Sequence, residues 1–173
     1  NGPTGDPVNQ MTTDNIFWDW IAGRYAKQAV ADEASYKKKL AISQQYFDAD
    51  SRVLEFGCGT GSTAIHHAPV VGHIHATDIS SKMLAIAKTK AGAAELNNIS
   101  FEQTGLKDSN SSNESWDAVL GMSILHLVAN KDSEIERAFE LLKPGGVFIS
   151  STPCIGDSGL GFRLLAPIFR WIP

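Results

Sequence analysis

Residues 53–63, VLEFGCGTGST, decide the fold. The stretch begins as a short apolar strand and runs into glycine at positions 57, 59 and 61. Gly57 permits a sharp exit from the strand, Gly59 lets a ligand approach the main chain, and Gly61 lets the following helix pack closely. We therefore expect a strand, a ligand-binding turn and a helix in succession.

Short apolar runs alternate with helical patterns along the rest of the chain. The predicted strands are 52–56, 73–78, 99–103, 116–122 and 147–151. The predicted helices between them are 62–68, 81–96 and 133–142, the last ended by the sequence KPGG at 143–146. Alternation of this kind predicts an α/β fold, a Rossmann-like doubly wound parallel sheet with helices on both faces.

Two helical patterns precede the first strand and predict an N-terminal helical cap at 14–47. Asp32 is a plausible N-cap of the second helix. Residues 1–13 are interpreted as a tail, with Met11 as a candidate native start. The first pattern places Ile16, Phe17, Trp20, Ile21 and Tyr25 on one face, and the second does so for Tyr36, Leu40, Ser43 and Phe47.

Composition limits the classes of function. The 173 residues are 43% apolar and 20% charged, which predicts one domain, at 14–173. A net charge of −4 and the lack of a basic run argue against nucleic acid as a ligand. No apolar stretch approaches the ~20 residues of a membrane span, and no signal pattern is seen, so a cytoplasmic protein is expected. Cys58 and Cys154 do not suggest a disulfide framework.

The glycine spacing distinguishes between possible cofactors. The spacing is G-x-G-x-G instead of the dinucleotide fingerprint G-x-G-x-x-G, and Glu55 lies two residues before Gly57. An acid beside the turn disfavours a pyrophosphate and favours a ligand with a positive charge. Asp78 lies 21 residues after Gly57 at a strand end, where a carboxylate can bind ribose hydroxyls. Met83 follows on the next helix and either contacts adenine or belongs to the core.

Four segments in order resemble one protein family. VLEFGCGTGS, ATDISSKML, SWDAVLGMSILHL and LKPGGVFIS are similar to motifs of the class I S-adenosylmethionine-dependent methyltransferases. Within that class, the chain resembles the small-molecule type similar to ubiquinone and menaquinone biosynthesis methyltransferases. The resemblance covers 14–152 and implies a seven-stranded sheet, with S-adenosylmethionine across the carboxyl ends of the first, second and fourth strands.

The resemblance also implies a helix and a strand hairpin after the fifth strand. Residues 159–172 are too short and too apolar to supply them, and Pro167 interrupts any helix there. We therefore expect the native chain to continue past Pro173, because the C-terminal hairpin is missing from this sequence. Residues 153–173 are expected to act as a substrate flap.

The family's roles map onto a set of cofactor-binding residues. The resemblance implies that Glu55 faces the cationic amino-acid end of the cofactor and that Tyr25 closes over its carboxylate. It further implies that Asp78 binds ribose. The full implied set is Tyr25, Glu55, Gly57, Cys58, Gly59, Asp78, Ile79, Met83, Gly105, Leu106 and Met122.

One position departs from the family's pattern. The third strand of the family leads into an acid that reads the adenine amino group, but FEQTGLKD has Gly105 at that place. The departure implies that the main chain of Gly105 and Leu106 recognises adenine. Asp108 is the less favoured substitute.

Catalysis of methyl transfer requires few groups from the protein. Attack on a sulfonium methyl neutralises a charge, so holding the reactants in line and excluding water is the main requirement. His126 is either a base for an acidic acceptor or, as we favour, a packed structural histidine. Cys58 between two glycines suits a cofactor wall better than a nucleophile. No catalytic residue is assigned.

The other histidines raise the question of a metal. His73 and His75 share a strand face, whereas His66 and His67 are helix neighbours that point in different directions. Cysteine and acid ligands at matching spacing are lacking, so we expect no metal site.

Three functions remain open from the sequence. The favoured one is methyl transfer to a small, apolar or aromatic acceptor, because residues 17, 18, 20 and 160–172 offer aromatic and apolar surface. The alternatives are a nicotinamide-dependent oxidoreductase and a non-catalytic S-adenosylmethionine-binding protein. The sequence leaves the acceptor and the oligomeric state open.

Overall fold

The computed structural model describes residues 7–27 and 32–152. In these residues five parallel strands form one sheet in the order β3-β2-β1-β4-β5. The strands are β1 Arg52–Phe56, β2 His73–Asp78, β3 Ile99–Gln103, β4 Trp116–Met122 and β5 Leu142–Ser151. The predicted Rossmann-like doubly wound sheet is confirmed, and the first four strands have the predicted bounds.

The fifth strand begins five residues earlier than predicted. The segment 143–146 was expected to end the preceding helix in a turn, but it lies within β5 at an irregularity in the pairing with β4. Lys143 Nζ donates to both Asp117 carboxylate oxygens at 2.8 and 2.9 Å, and Gly145 adopts a φ of +83°. The side-chain bond across the strands and the left-handed glycine keep this stretch in the sheet.

Five helices flank the strands in the described ranges. They are α1 Pro7–Tyr25, α2 Glu33–Gln44, α3 Ser62–His67, α4 Ser81–Ala93 and α5 Lys131–Leu141, with a short 3-10 turn Ala68–Val70 after α3. Asp32 caps α2 by accepting from Ser35 N, as predicted. The interpretation of residues 1–13 as a tail is wrong for its second half, because α1 begins at Pro7.

Each face of the sheet has its own core. The first core packs Val53, Ile74, Ala118 and their neighbours beneath α3 and α4. The second packs Leu54, Phe56 and Val119 against α5. Burial of alternate strand residues on opposite faces is what two helical layers around a parallel sheet require.

Only part of the predicted apolar face of α1 is buried. Ile16, Trp20 and Tyr25 are 65%, 74% and 48% exposed, whereas Phe17 and Ile21 are half-buried. Ala22, outside the predicted face, is buried, and α1 lies against α4. The prediction for α1 therefore holds for Phe17 and Ile21 alone. The predicted face of α2 is confirmed, since Leu40 and Ser43 are buried.

Several expectations lie outside the described residues, among them those for Cys154 and the flap at 153–173. Over residues 7–27 and 32–152, no helix has the length and apolar character needed to cross a membrane. The same ranges contain no group of three or more His, Cys, Asp or Glu side chains arranged to hold a metal ion.

Candidate functional site

The glycine turn lies where the strand order reverses. β1 pairs with β2 on one side and with β4 on the other, and the turn follows β1 at the carboxyl end of the sheet. Gly57, Gly59 and Gly61 have φ values of +62°, +54° and +73°. Cys58 N donates to Thr77 O at 2.9 Å and ties the turn to β2. Ligands of open α/β sheets bind at such reversal points.

The three glycines have different surroundings. A Cβ at Gly57 would lie 2.5 Å from Ile124 Cγ1, and one at Gly61 would lie 2.8 Å from Ala87 Cβ on α4. A Cβ at Gly59 would meet nothing closer than Tyr25 Cε1 at 3.9 Å within the described residues. Gly57 and Gly61 thus serve protein packing, and Gly59 has open space beside its main chain. Gly61 packs against α4, whereas we expected it to let the helix that follows the turn pack closely.

Asp78 holds the turn and the start of α4 together. Its Oδ2 accepts from Gly59 N and its Oδ1 from Ser80 N, each at 2.8 Å. The side chain is buried, and burial raises the pKa of this carboxyl against the lowering effect of the two backbone bonds. Because a carboxylate accepts about four hydrogen bonds, capacity remains for two ribose hydroxyls.

Glu55 is a buried acid next to the turn. It is 2% exposed, and its Oε2 has no hydrogen-bond partner among the described residues. Burial, and secondarily the charge of Asp78, raises its pKa to about 8, while the backbone N–H of Ala64 opposes the shift. A cation placed beside this carboxyl favours its ionised form. The residue therefore suits a ligand with an ammonium group.

Two tyrosines lie at this end of the sheet. Tyr25, at the end of α1, has its ring near Gly59; that it covers a bound cofactor stays a prediction. The hydroxyl of Tyr36 lies 3.4 Å from Thr63 Oγ1, and burial, with smaller effects from Glu55 and Tyr25, raises its pKa. Sequence reasoning did not place Tyr36 at this end of the sheet, because its position predicted only a packed helix face.

Ile79 and Met83, two residues predicted to contact adenine, follow Asp78 in the chain. Ile79 is half-buried, and its carbonyl accepts from Gln103 Nε2 at 3.0 Å. Met83 is 2% exposed and donates its backbone N–H to Ser80 Oγ at 3.1 Å. Burial and hydrogen bonds within the protein do not test a contact with adenine, so that contact stays a prediction.

The segment after β3 contains Gly105, Leu106 and Asp108, the residues considered as replacements for the family's acid. The Leu106 side chain is buried in the second core, so it is the main chain of this residue that is left to face a ligand. Asp108 Oδ2 lies 3.7 Å from the position of a Cβ on Gly105. The carboxylate of Asp108 therefore stands close to where the family's acid would project.

The end of β4 carries a strained residue and an exposed histidine. Met122 is half-buried and packs against the first core. Ser123 follows with a φ of +56°, and its N–H donates to Ser151 O at 2.8 Å. His126 is exposed, which corrects its interpretation as a packed histidine; partial burial and Lys131 lower its pKa. A neutral imidazole in this position can accept a proton.

The Cys58 thiol is unsuited to nucleophilic attack. The side chain is 8% exposed. Burial, followed by the charges of Glu55 and Asp78, raises the pKa of the thiol well above its usual range. Since the thiolate is the reactive form, Cys58 is a wall residue of the turn.

A cavity lies at the opposite end of the strands from the glycine turn. It has a volume of about 370 Å³ and lies among Tyr46, Asp48, Asp117 and Lys143. Asp117 and Lys143 already form an ion pair there. Because this cavity is at the amino ends of the strands, it is separate from the glycine turn.

Comparison with known proteins agrees with the geometry. Residues 53–146, more than half of the chain, match the family model described as "Methyltransferase domain". The chain belongs to this methyltransferase family. The matched region includes every strand of the described sheet except the end of β5 and the first residue of β1.

The curated relatives that the chain matches are also named as methyltransferases. The ubiquinone biosynthesis O-methyltransferase of Cereibacter sphaeroides (strain ATCC 17025) is 27% identical over 124 residues, which cover 70% of this chain and 50% of that protein. The enzyme of that name from Ruegeria pomeroyi is 28% identical over 127 residues, 72% of this chain and 51% of that one. The chain spans about half the length of the curated relatives it matches.

Solved structures share the fold. The DhpI-SAM-HEP complex has a TM-score of 0.70 at 22% identity and covers 99% of this chain and 75% of that one. The DhpI-SAH complex has a TM-score of 0.67 at 25% identity, with 83% and 70% covered. The [4+2]-cyclase SpnF has a TM-score of 0.65 at 24% identity, with 76% and 52% covered. The presence of a cyclase in this set illustrates that fold alone does not fix the reaction.

Proposed function

We propose that this protein transfers a methyl group from S-adenosylmethionine to a small, apolar or aromatic acceptor in the cytoplasm. The observation that carries the proposal is the juxtaposition at the strand reversal. Asp78 accepts a hydrogen bond from the main chain of Gly59, and the charge of the same carboxyl helps to raise the pKa of the buried Glu55. Family membership and the ubiquinone biosynthesis O-methyltransferases among the relatives support the same conclusion.

The residues present fit the cofactor's chemical groups. Asp78 would hold the ribose hydroxyls, and Glu55 would balance the ammonium of the methionine portion. Tyr25 and Tyr36 supply hydroxyls at the same end of the sheet, and we propose that they contact the carboxylate. Bound there, the cofactor would supply an activated methyl group on a positively charged sulfur.

The work left to the protein is positioning and exclusion of water. In-line placement of donor and acceptor can supply roughly 7–11 kcal/mol of a barrier. His126 would accept the proton of a phenolic acceptor, since its lowered pKa favours the neutral imidazole. We propose an acceptor hydroxyl on an aromatic ring, in keeping with the O-methyltransferase relatives.

The oxidoreductase alternative is not favoured. A pyrophosphate at this turn would face the two acids Glu55 and Asp78, which repel it once ionised. The non-catalytic alternative predicts cofactor binding without transfer. It is separated from the enzyme by mass spectrometry, which detects the gain of one methyl group over a panel of phenolic and apolar acceptors.

Calorimetric titration tests the cofactor site directly. Wild-type protein is expected to bind S-adenosylmethionine and S-adenosylhomocysteine, and not NAD. Asp78→Ala should weaken binding at least tenfold, because each charge-assisted bond to ribose is worth about 1.5–3 kcal/mol. Asp78→Asn keeps the side-chain shape and guards against misfolding, and Asp50→Ala, on the exposed opposite edge, is the matched control. Unchanged affinity in both Asp78 variants would refute the assignment.

A further inference from the structure

α4 receives its N-terminal acid from another helix. The first turn of α4 contains no acidic residue of its own. The carboxylate of Asp19, on α1, lies at this helix end instead. Its Oδ1 accepts from Ser80 Oγ at 2.5 Å and from Lys82 N at 3.1 Å. Its Oδ2 accepts from Ser81 Oγ at 3.3 Å. A carboxylate at this end satisfies an unpaired backbone N–H and interacts favourably with the helix dipole.

These bonds continue into the cofactor site. Ser80, whose hydroxyl donates to Asp19, also donates its backbone N–H to Asp78 Oδ1, and Asp78 Oδ2 accepts from Gly59 N. Three consecutive hydrogen bonds thus connect α1 with the glycine turn. Tyr25 links α1 to the same turn a second time, because its ring lies near Gly59.

Apolar packing of α1 is incomplete. Between residues 15 and 25, Ala22 is fully buried, and Phe17, Trp18 and Ile21 are half-buried. The large apolar residues Ile16 and Trp20 are mostly exposed. The contacts of Asp19 with Ser80 and Lys82 add polar anchoring to this partial packing.

We propose that Asp19 is a positioning residue that holds α1 across the cofactor site. Through Ser80 it fixes the orientation of the Asp78 carboxylate, and through the helix it places Tyr25 beside Gly59. Asp19 itself need not touch the cofactor. This inference rests on the proposed function, since it assigns a role in binding S-adenosylmethionine at that same site.

The first test needs no ligand. In hydrogen exchange on the unliganded protein, Asp19→Ala is expected to speed the exchange of α1 amides 15–25 at least tenfold. Asp19→Asn, which keeps one acceptor oxygen, should have a smaller effect. Trp20→Ala, on the exposed side of the same helix, should leave the α1 rates unchanged. Wild-type exchange rates in Asp19→Ala would overturn the proposal.

The second test measures S-adenosylhomocysteine binding by calorimetry. Asp19→Ala is expected to weaken binding about tenfold and Trp20→Ala to leave it unchanged. Loosening of α1 without any loss of affinity would overturn the positioning role. If wild-type protein binds no S-adenosylhomocysteine, the proposed function fails, while the exchange experiment still decides whether Asp19 holds α1.

A pH profile distinguishes positioning from general structural damage. Asp19 on α1 and Glu55 on β1 are the acids that face Asp78, and the negative charge of Asp19 contributes to its raised pKa. In Asp19→Asn, the loss of S-adenosylhomocysteine binding on acidification should move to lower pH, because removal of the Asp19 charge lowers the pKa of Asp78. A uniform loss of affinity at every pH, with no shift to lower pH, would overturn the proposal.

Discussion

Replacement of Glu55 by glutamine should change how stability depends on pH. In the folded protein the pKa of Glu55 is raised from 4.5 to about 8, first by burial and then by the charge of Asp78. A raised pKa means that the folded state holds the proton more tightly than the unfolded state does. The resulting stability is fully present below pH 4.5 and is lost as the pH rises through about 8. Glutamine keeps the shape of the side chain and cannot titrate.

The magnitude follows from the width of that pH window. Of the range from pH 6 to pH 9, about two pH units lie below the folded-state pKa of Glu55. In that part of the range each pH unit lowers the free energy of unfolding of wild type by about 1.4 kcal/mol. We therefore expect the free energy of unfolding of wild type to fall by roughly 2–3 kcal/mol more than that of Glu55→Gln. The side chain is 2% exposed, so solvent does little to screen the effect.

Urea unfolding at pH 6, 7, 8 and 9 measures the difference. Both proteins keep Cys58 and the histidines, so their titrations contribute to both curves, and the comparison isolates residue 55. Parallel curves for wild type and Glu55→Gln over the whole range would refute the reasoning. They would show that Glu55 is ionised or solvated in the folded protein.

Four further substitutions test the backbone around the site and at the end of α4. Gly61→Ala should destabilise the protein by about 2–3 kcal/mol in urea unfolding, because its φ is positive and its Cβ would lie 2.8 Å from Ala87 Cβ. Gly59→Ala, which adds only backbone strain, should cost about 1 kcal/mol. Equal costs for the two substitutions would contradict this account. Glu95→Gly should raise the free energy of unfolding by about 1 kcal/mol, because Glu95 directly follows Ala94, the C-cap of α4, and has a φ of +54°. A loss of stability would argue against backbone strain there. Gly59→Val should abolish S-adenosylmethionine binding in calorimetry while the circular dichroism spectrum stays native-like, and retained affinity would show that the turn faces something else.

The sequence by itself determined the central sheet and the cofactor end of the site. Strands β1 to β4, the glycine turn and the position of Asp78 follow from local features: apolar runs of strand length, residues that tolerate positive φ, and a carboxylate where a strand stops. In a parallel sheet, strand ends meet at one edge, so local patterns place Gly59 and Asp78 together without further information.

Other features depended on contacts between distant parts of the chain. The exposure of Ile16 and Trp20 on α1, the contact of Tyr36 with Thr63 and the exposure of His126 were not predictable, because helical periodicity does not say which partner a helix meets. Asp19 and Ser80 are 61 residues apart, and no local pattern pairs them. The raised pKa of Glu55 likewise arises only when folding removes its carboxyl from water. Tertiary structure decided these features because burial and hydrogen-bond pairing are properties of the assembled molecule.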